Sequence, residues 1–519
     1  MKDRTLKWIG FSLTLLLTSC QFFSVSFSPY TDYVTVIDRY QEIDRVHYYQ
    51  PANMSLTYSD IFRSHPVRNY KTVSMRPTGE QKLLVIPVDF TDYRAERIDQ
   101  NGGETARKVI ANAFFGRSDK TQWESVASFY NKSSYGKLVL SGEVAPWYTV
   151  SETYSIDNIN RLMTNQSEDY KTNITQAILR EAVDNYKITH PNYLEYDQDE
   201  DGYLDGVFLI YAHPIGTKEV AGHVVSDASS IFWAFSSFDA RNNAPLTSPI
   251  ANAYAWASYE FMNTLNRPLS TQPDAHTYIH EMGHVFGLDD YYNTDRESPY
   301  GATGTADLMD YSLGDHTALS KMLLDWTRPF VLKDEGEVEL RPFVTTGDLL
   351  IIPKPTWNGS AMDEYLAIEY YTPTGLNAFD AFHHQSLNLF DRYGLKVYHI
   401  NARLGYYSLD GSATFLGYVE DLPTQPASSF MRIVHTNSTG GKRMTRNGKM
   451  LYQLLEKSGE NSFLTGGHAS NDTLFFRGDQ FGITTFIDYR YHDDTPLGYS
   501  FSVQSISKEK AIIRFDSID

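Results

Sequence analysis

The chain is poor in cysteine, in cationic surplus and in long apolar runs. Its 519 residues include one cysteine, Cys20, so no disulfide can form within the chain. Lysine and arginine total 45 against 64 aspartates and glutamates, a formal charge of −19. That balance argues against nucleic acid as a partner and suits solubility and cation binding. The apolar run Trp8 through Leu17 is shorter than the roughly 20 residues a spanning helix needs. No repeat or low-complexity tract stands out. Apolar residues make up 41% of the chain and aromatics 14%, enough for folded cores, and the length implies two or three of them.

The N-terminus has the form of an export signal. Lys2, Arg4 and Lys7 precede the apolar run, which ends Leu17-Thr18-Ser19-Cys20. Small residues directly before a cysteine resemble a bacterial lipoprotein signal. The resemblance implies cleavage before Cys20, lipidation of its sulfur, and anchoring on the outer side of a bacterial cell membrane. Residues 20–79 are rich in Tyr and Ser without a clear period, and read as a tether with a possible propeptide.

The chemistry concentrates in His280-Glu281-Met282-Gly283-His284-Val285-Phe286-Gly287-Leu288-Asp289-Asp290. Two imidazoles four residues apart leave the same helix face and suit one zinc ion. Glu281 then reaches a metal-bound water as general base. Gly287 allows a sharp left-handed turn, after which Asp290 returns as the third ligand. Asp289 is its rival. His276 is also four residues from His280, and reads as a helix-surface or supporting residue. Downstream, Asp307-Leu308-Met309-Asp310-Tyr311 places Met309 in a turn beneath the metal. The phenol of Tyr311 is positioned to reach the metal or hold an oxyanion.

These residues resemble the immune inhibitor A-like metallopeptidases, metzincin-related secreted bacterial zinc proteases. The likeness extends to Leu83–Phe90, Ser125–Tyr130, Ser134–Leu138, Val144–Tyr148, Gly304–Met309, Gly314–Lys321, Glu364–Glu369 and Gly394–His399. It covers roughly residues 80–480. It implies a zinc endopeptidase with ligands His280, His284 and Asp290 and Glu281 as catalytic base. Relatives often carry Pro where this chain has Asp289.

A second motif is Asp197-Gln198-Asp199-Glu200-Asp201-Gly202-Tyr203-Leu204-Asp205. Acidic residues at alternate positions before a glycine resemble the start of an EF-hand loop. Phe208 stands where that loop has its closing Glu, so Asp205 is expected to close the cage. The expected ligand is a structural calcium ion.

The pattern predicts an α+β protein. Residues 1–19 are the signal peptide and 80–330 a metzincin-like catalytic domain, a mixed twisted sheet plus the active-site helix. Residues 331–519, with short alternating runs between Gly, Asn and Asp turns, read as a β-sandwich-like accessory domain. Helices are expected over 172–187, from near Asp274, and from Asp315. The expected activity is hydrolysis of peptide bonds in extracellular proteins, by a monomer. The alternative is a surface adhesin with a vestigial protease fold.

Overall fold

The run from Leu83 to Phe90 is apolar on both faces, so it is a strand only if both faces are covered. The computed structural model shows this. It describes residues 25–26, 46–51, 64–67 and 70–518, apart from 165–167, 221–222, 228, 242–243, 264–271, 294–300, 384–388, 411–413 and 439–448. Cys20, the signal segment and most of 20–79 lie outside the described residues. Among the described residues no helix is long and apolar enough to cross a membrane.

Strand β1 (Gly79–Asp89) is followed by helices α1 (Glu104–Phe115) and α2 (Val126–Ser133) and strand β2 (Leu138–Val144). Helix α3 (Glu168–Thr189) leads to β3 (Val207–Tyr211), β4 (Phe235–Phe238) and β5 (Ala253–Ser258). The sheet runs β2-β1-β3-β5-β4, with a short Val25–Ser26 strand beyond β2. Its neighbours from β2 to β5 are parallel, and β4 is an antiparallel edge. One face is covered by the expected helix α3, through Ile174, Ile178, Ala182, Val183 and Tyr186. The other is covered by α1, α2 and α4 (His276–Val285).

Helix α4 begins at His276, two residues after the expected Asp274, whose Oδ1 accepts the His276 amide at 2.9 Å. Helix α5 (Ala318–Leu323) begins three residues after the expected Asp315. The cause is local: the Asp315 carboxylate is taken by Lys321 Nζ at 2.5 Å and by Ser133 Oγ at 2.6 Å.

Beyond α5 the chain is β-rich. Strands β6 (Phe330–Leu332), β7 (Gly336–Leu340), β8 (Leu349–Pro353), β9 (Glu364–Tyr371), β10 (Gly394–Asn401) and β11 (Tyr452–Leu455) follow one another. After them come β12 (Gln480–Phe481), β13 (Tyr499–Ile506) and β14 (Ala511–Ser517). One sheet runs β6-β8-β9-β10-β11, with Tyr48–Tyr49 added at β6, and a second runs β7-β14-β13-β12. Leu350, Ile352, Leu366, Ile368, Phe501, Val503, Ile513 and Phe515 fill the core they share. The protein is thus a mixed α+β molecule with a β-rich C-terminal region.

Candidate metal centre

Helix α4 supplies two imidazoles, and its termination supplies the third group. At the C-terminal end Gly287 takes φ +98, its amide reaching the His284 carbonyl at 2.8 Å. The Leu288 amide reaches the Gly283 carbonyl at 3.0 Å, so the last turn is closed by a left-handed glycine. The redirected chain brings Asp290 back over the helix. Its Oδ1 lies 3.3 Å from His280 Nε2 and 3.2 Å from His284 Nε2. A tetrahedral ion with bonds of about 2.0–2.1 Å separates its ligand atoms by about 3.3–3.4 Å. Asp290 Oδ1 is buried and accepts no hydrogen bond, so the residues present fit a cation there.

The imidazoles are pre-set for such an ion. His280 Nδ1 donates to the Leu308 carbonyl at 2.8 Å, and His284 Nδ1 donates to the Leu288 carbonyl at 2.7 Å. Each bond places the proton on Nδ1 and leaves the Nε2 lone pair facing Asp290. Burial lowers the affinity of both rings for a proton, but the Asp290 carboxylate outweighs it. His280 ends above the ordinary imidazole value, and His284 is pushed up to about 10. Burial would raise the Asp290 pKa, yet the two imidazoles hold it well below the usual carboxylate range. The pocket therefore demands positive charge beside Asp290.

Glu281 meets edge strand β4 through Ser236. It is buried, and Ser236 Oγ donates to its Oε2 at 3.0 Å. Burial raises its pKa above the ordinary carboxylate value. Ser236 had no signal in the sequence: it is one serine among many, brought to Glu281 by the pairing of β4 with β5.

Met309 is fully buried under α4. A Cβ added to Gly283 would meet its Sδ at 2.5 Å, so a residue without a side chain is needed where the helix crosses the turn. Asp307 holds that turn, its Oδ1 accepting the Met309 amide at 2.8 Å and its Oδ2 the Thr317 amide at 3.0 Å. The Tyr291 amide donates to the Met309 carbonyl at 2.8 Å, tying the turn to the segment that carries Asp290.

The structure separates the rival residues. Asp289 meets Thr436, whose Oγ1 lies 3.5 Å from its Oδ2. His276 is the first residue of α4, and the grouped ligand atoms are those of His280, His284 and Asp290. Tyr311 follows the Met309 turn and is 56% exposed. Tyr292 lies against Asp290 and is hydrogen-bonded to it; burial, then the charges of Asp290 and Glu281, raise its pKa far above the ordinary phenol value. Adjacent tyrosines are common in this chain, so Tyr292 gave no signal of its own.

The acidic loop forms a second group. Asp197, Asp199 and Asp201 each place one oxygen within 4.8 Å of the others. Asp197 also accepts the amides of Asp201 and Gly202 at 3.0 Å. Asp205 is outside that group, and its Oδ2 accepts the Gln198 amide at 3.0 Å. Arg76 pairs with Asp199 at 3.3 Å.

Residues 70–313 match the family described as immune inhibitor A peptidase M6, catalytic domain. No curated protein matches the chain. The matched span contains His280, Glu281, His284, Asp290 and Met309, and it ends shortly before α5.

Proposed function

Since residues 70–313 form a metallopeptidase domain of the immune inhibitor A (M6) family, we propose that the protein is a zinc-dependent endopeptidase acting on extracellular proteins. The observation that carries the reading is the convergence of His280 Nε2 and His284 Nε2 on Asp290 Oδ1, each within 3.3 Å of it. Zinc held there supplies Lewis acidity toward a water and a scissile carbonyl. The chain's own part is proton handling and alignment. Glu281, kept basic in a dry pocket and oriented by Ser236, accepts a proton from the attacking water and passes it to the leaving amine. Strand β4, at the edge of its sheet among the described strands, offers an outer backbone edge for an extended substrate to lie against. Tyr292 orients Asp290, and the exposed phenol of Tyr311 is the proposed oxyanion donor.

Two further assignments support this setting. Calcium at Asp197, Asp199 and Asp201 would relieve their mutual repulsion and brace the loop feeding β3. A lipid on Cys20 would hold the peptidase at a bacterial cell surface. The adhesin alternative is disfavoured, because the ligand and base residues are all present and pre-oriented.

The test is Glu281→Gln in the full chain. Bound zinc should stay at one equivalent in this site while casein cleavage falls by at least a thousandfold. Retained proteolysis would remove Glu281 from the mechanism, and cleavage indifferent to a zinc chelator would remove the metal.

A further inference from the structure

A second set of ligand-type side chains lies in the C-terminal region, far from α4 in sequence. Glu364 opens β9 and His399 lies near the end of β10. Glu364 pairs with Asn401 and Leu366 with His399, so Glu364, His399 and Asn401 share one face of the sheet. His492 enters from the loop between β12 and β13. His399 Nε2 is 2.9 Å from Glu364 Oε1, and His492 Nδ1 is 3.6 Å from the same oxygen. One ligand atom from each residue lies within 4.8 Å of the other two. The side chains of Glu364, His399 and His492 are only 0%, 4% and 19% exposed.

We propose that Glu364, His399 and His492 form a second divalent-metal site, of the zinc class, which pins the His492 loop to the accessory sheet. Two imidazoles and one carboxylate are a donor set that suits zinc and related transition ions over calcium or magnesium. The hydrogen-bonding around the cluster is incomplete without an ion. Glu364 Oε2 and Asn401 Oδ1 are both buried and accept no hydrogen bond. Lys354 Nζ stands 3.8 Å from Glu364 Oε2, but its short contact is with Asp493 at 2.7 Å, and Asp363 is 3.5 Å away. Lys449 donates to the His492 carbonyl. Arg403 also acts on Glu364 but is paired with Glu420.

The surrounding groups hold the rings in place. The Tyr489 hydroxyl is 2.7 Å from His399 Nδ1. When an ion takes His399 Nε2, the ring proton sits on Nδ1 and the Tyr489 oxygen accepts it. Asn401 Nδ2 is 2.8 Å from His492 Nδ1. An ion at Nδ1 replaces that contact, and rotation of the amide offers Asn401 Oδ1 as a fourth ligand. The ligands come from two strands and a loop that is 91 residues beyond Asn401, so the ion would close a long stretch of chain.

The test counts metal in the full chain carrying Glu281→Gln, which prevents self-cleavage. Purified without chelator, it should hold two equivalents of transition metal. Adding His492→Ala or Glu364→Gln should remove one, and adding His284→Ala should remove the other. In the chelator-stripped parent, zinc should raise the melting temperature in two titration steps, and His492→Ala should abolish one. If Glu364→Gln does not fold, His492→Ala on the partly exposed loop decides alone. The proposal is overturned if both variants keep the parent's metal count and both steps. It is equally overturned if His284→Ala removes all bound metal. Loss of metal only in the His492 and Glu364 variants would instead overturn the zinc reading of the α4 site.

Discussion

At the scale of single residues, the surroundings of α4 include a histidine that is forbidden its charge. His316 is buried among Phe129, Tyr130 and Trp326, with Ser133 Oγ 3.0 Å from its Nδ1. Burial, then the charges of Lys321 and His280, hold its pKa well below the usual imidazole value. The unfolded chain takes up a proton below about pH 6.5, and the folded chain refuses it. His316 therefore contributes stability that is present above that pH and lost as pH falls. Replacing it by Gln should flatten the pH dependence of urea unfolding between pH 7 and 5 by about 2 kcal/mol, whatever the substitution costs at pH 7. The measurement is the unfolding free energy of both proteins across that range. Parallel curves would show that His316 is charged in the fold.

At the scale of elements, the ending of α4 decides where the third ligand falls. Gly287, at φ +98, carries the chain from the helix to Asp290, and a Cβ there would come 3.0 Å from Ser74 Oγ. Gly287→Ala should cost about 1–2 kcal/mol for the left-handed backbone. It should also speed zinc loss to a chelator at least tenfold, because Asp290 is displaced. Gly359, at φ +85 with nothing within 4 Å of an added Cβ, is the control. Gly359→Ala should cost similar stability and leave zinc retention unchanged. Equal zinc retention in both variants would mean that the helix ending does not position Asp290. This same element marks what was legible in the sequence. His280, Glu281, His284, Gly287 and Asp290 are fixed by helical spacing and one turn, so their grouping is a local matter. The helix over 172–187 was equally readable, because its apolar positions at helical spacing are the ones that are buried. Ser236 and Tyr292 were not, since strand pairing and a tight loop bring them in. Glu364, His399 and His492 depend on the β9–β10 register and a distant loop, which no spacing encodes. The start of α5 was misplaced because Asp315 pairs with a buried lysine rather than capping the helix.

At the scale of the whole molecule, the peptidase region and the β-rich region are not independent bodies. The division at residue 330 expected from the sequence falls within one continuous apolar core. That core joins Met282, Met309, Leu319, Met322 and Trp326 to Tyr365, Ala367, Tyr398 and Tyr452. Polar contacts cross the same line. The Ala318 amide donates to Glu369 Oε2 at 3.1 Å, the Thr317 hydroxyl meets the Tyr452 hydroxyl at 2.6 Å, and Tyr135 donates to the Phe343 carbonyl at 2.6 Å. The segment leading to Met309 is held from beyond it: the Leu454 amide reaches the Ala302 carbonyl at 2.9 Å, and the Ala469 amide reaches the Gly304 carbonyl at 2.8 Å. The loop after Met309 is anchored by Asp380, which accepts the amides of Leu313 and Gly314 at 2.8 and 2.7 Å. Removing residues 331–519 would expose part of this core and release the turn beneath His280 and His284. Residues 70–330 produced alone should therefore aggregate or lack both zinc and activity. The full chain carrying Glu281→Gln should unfold in one calorimetric transition, with calorimetric and van't Hoff enthalpies in agreement. Two resolved transitions, or an active fragment ending at residue 330, would mean that the accessory strands merely adjoin the peptidase. A single transition would make them part of its active site, because the turn that supports His280 and His284 is anchored in them.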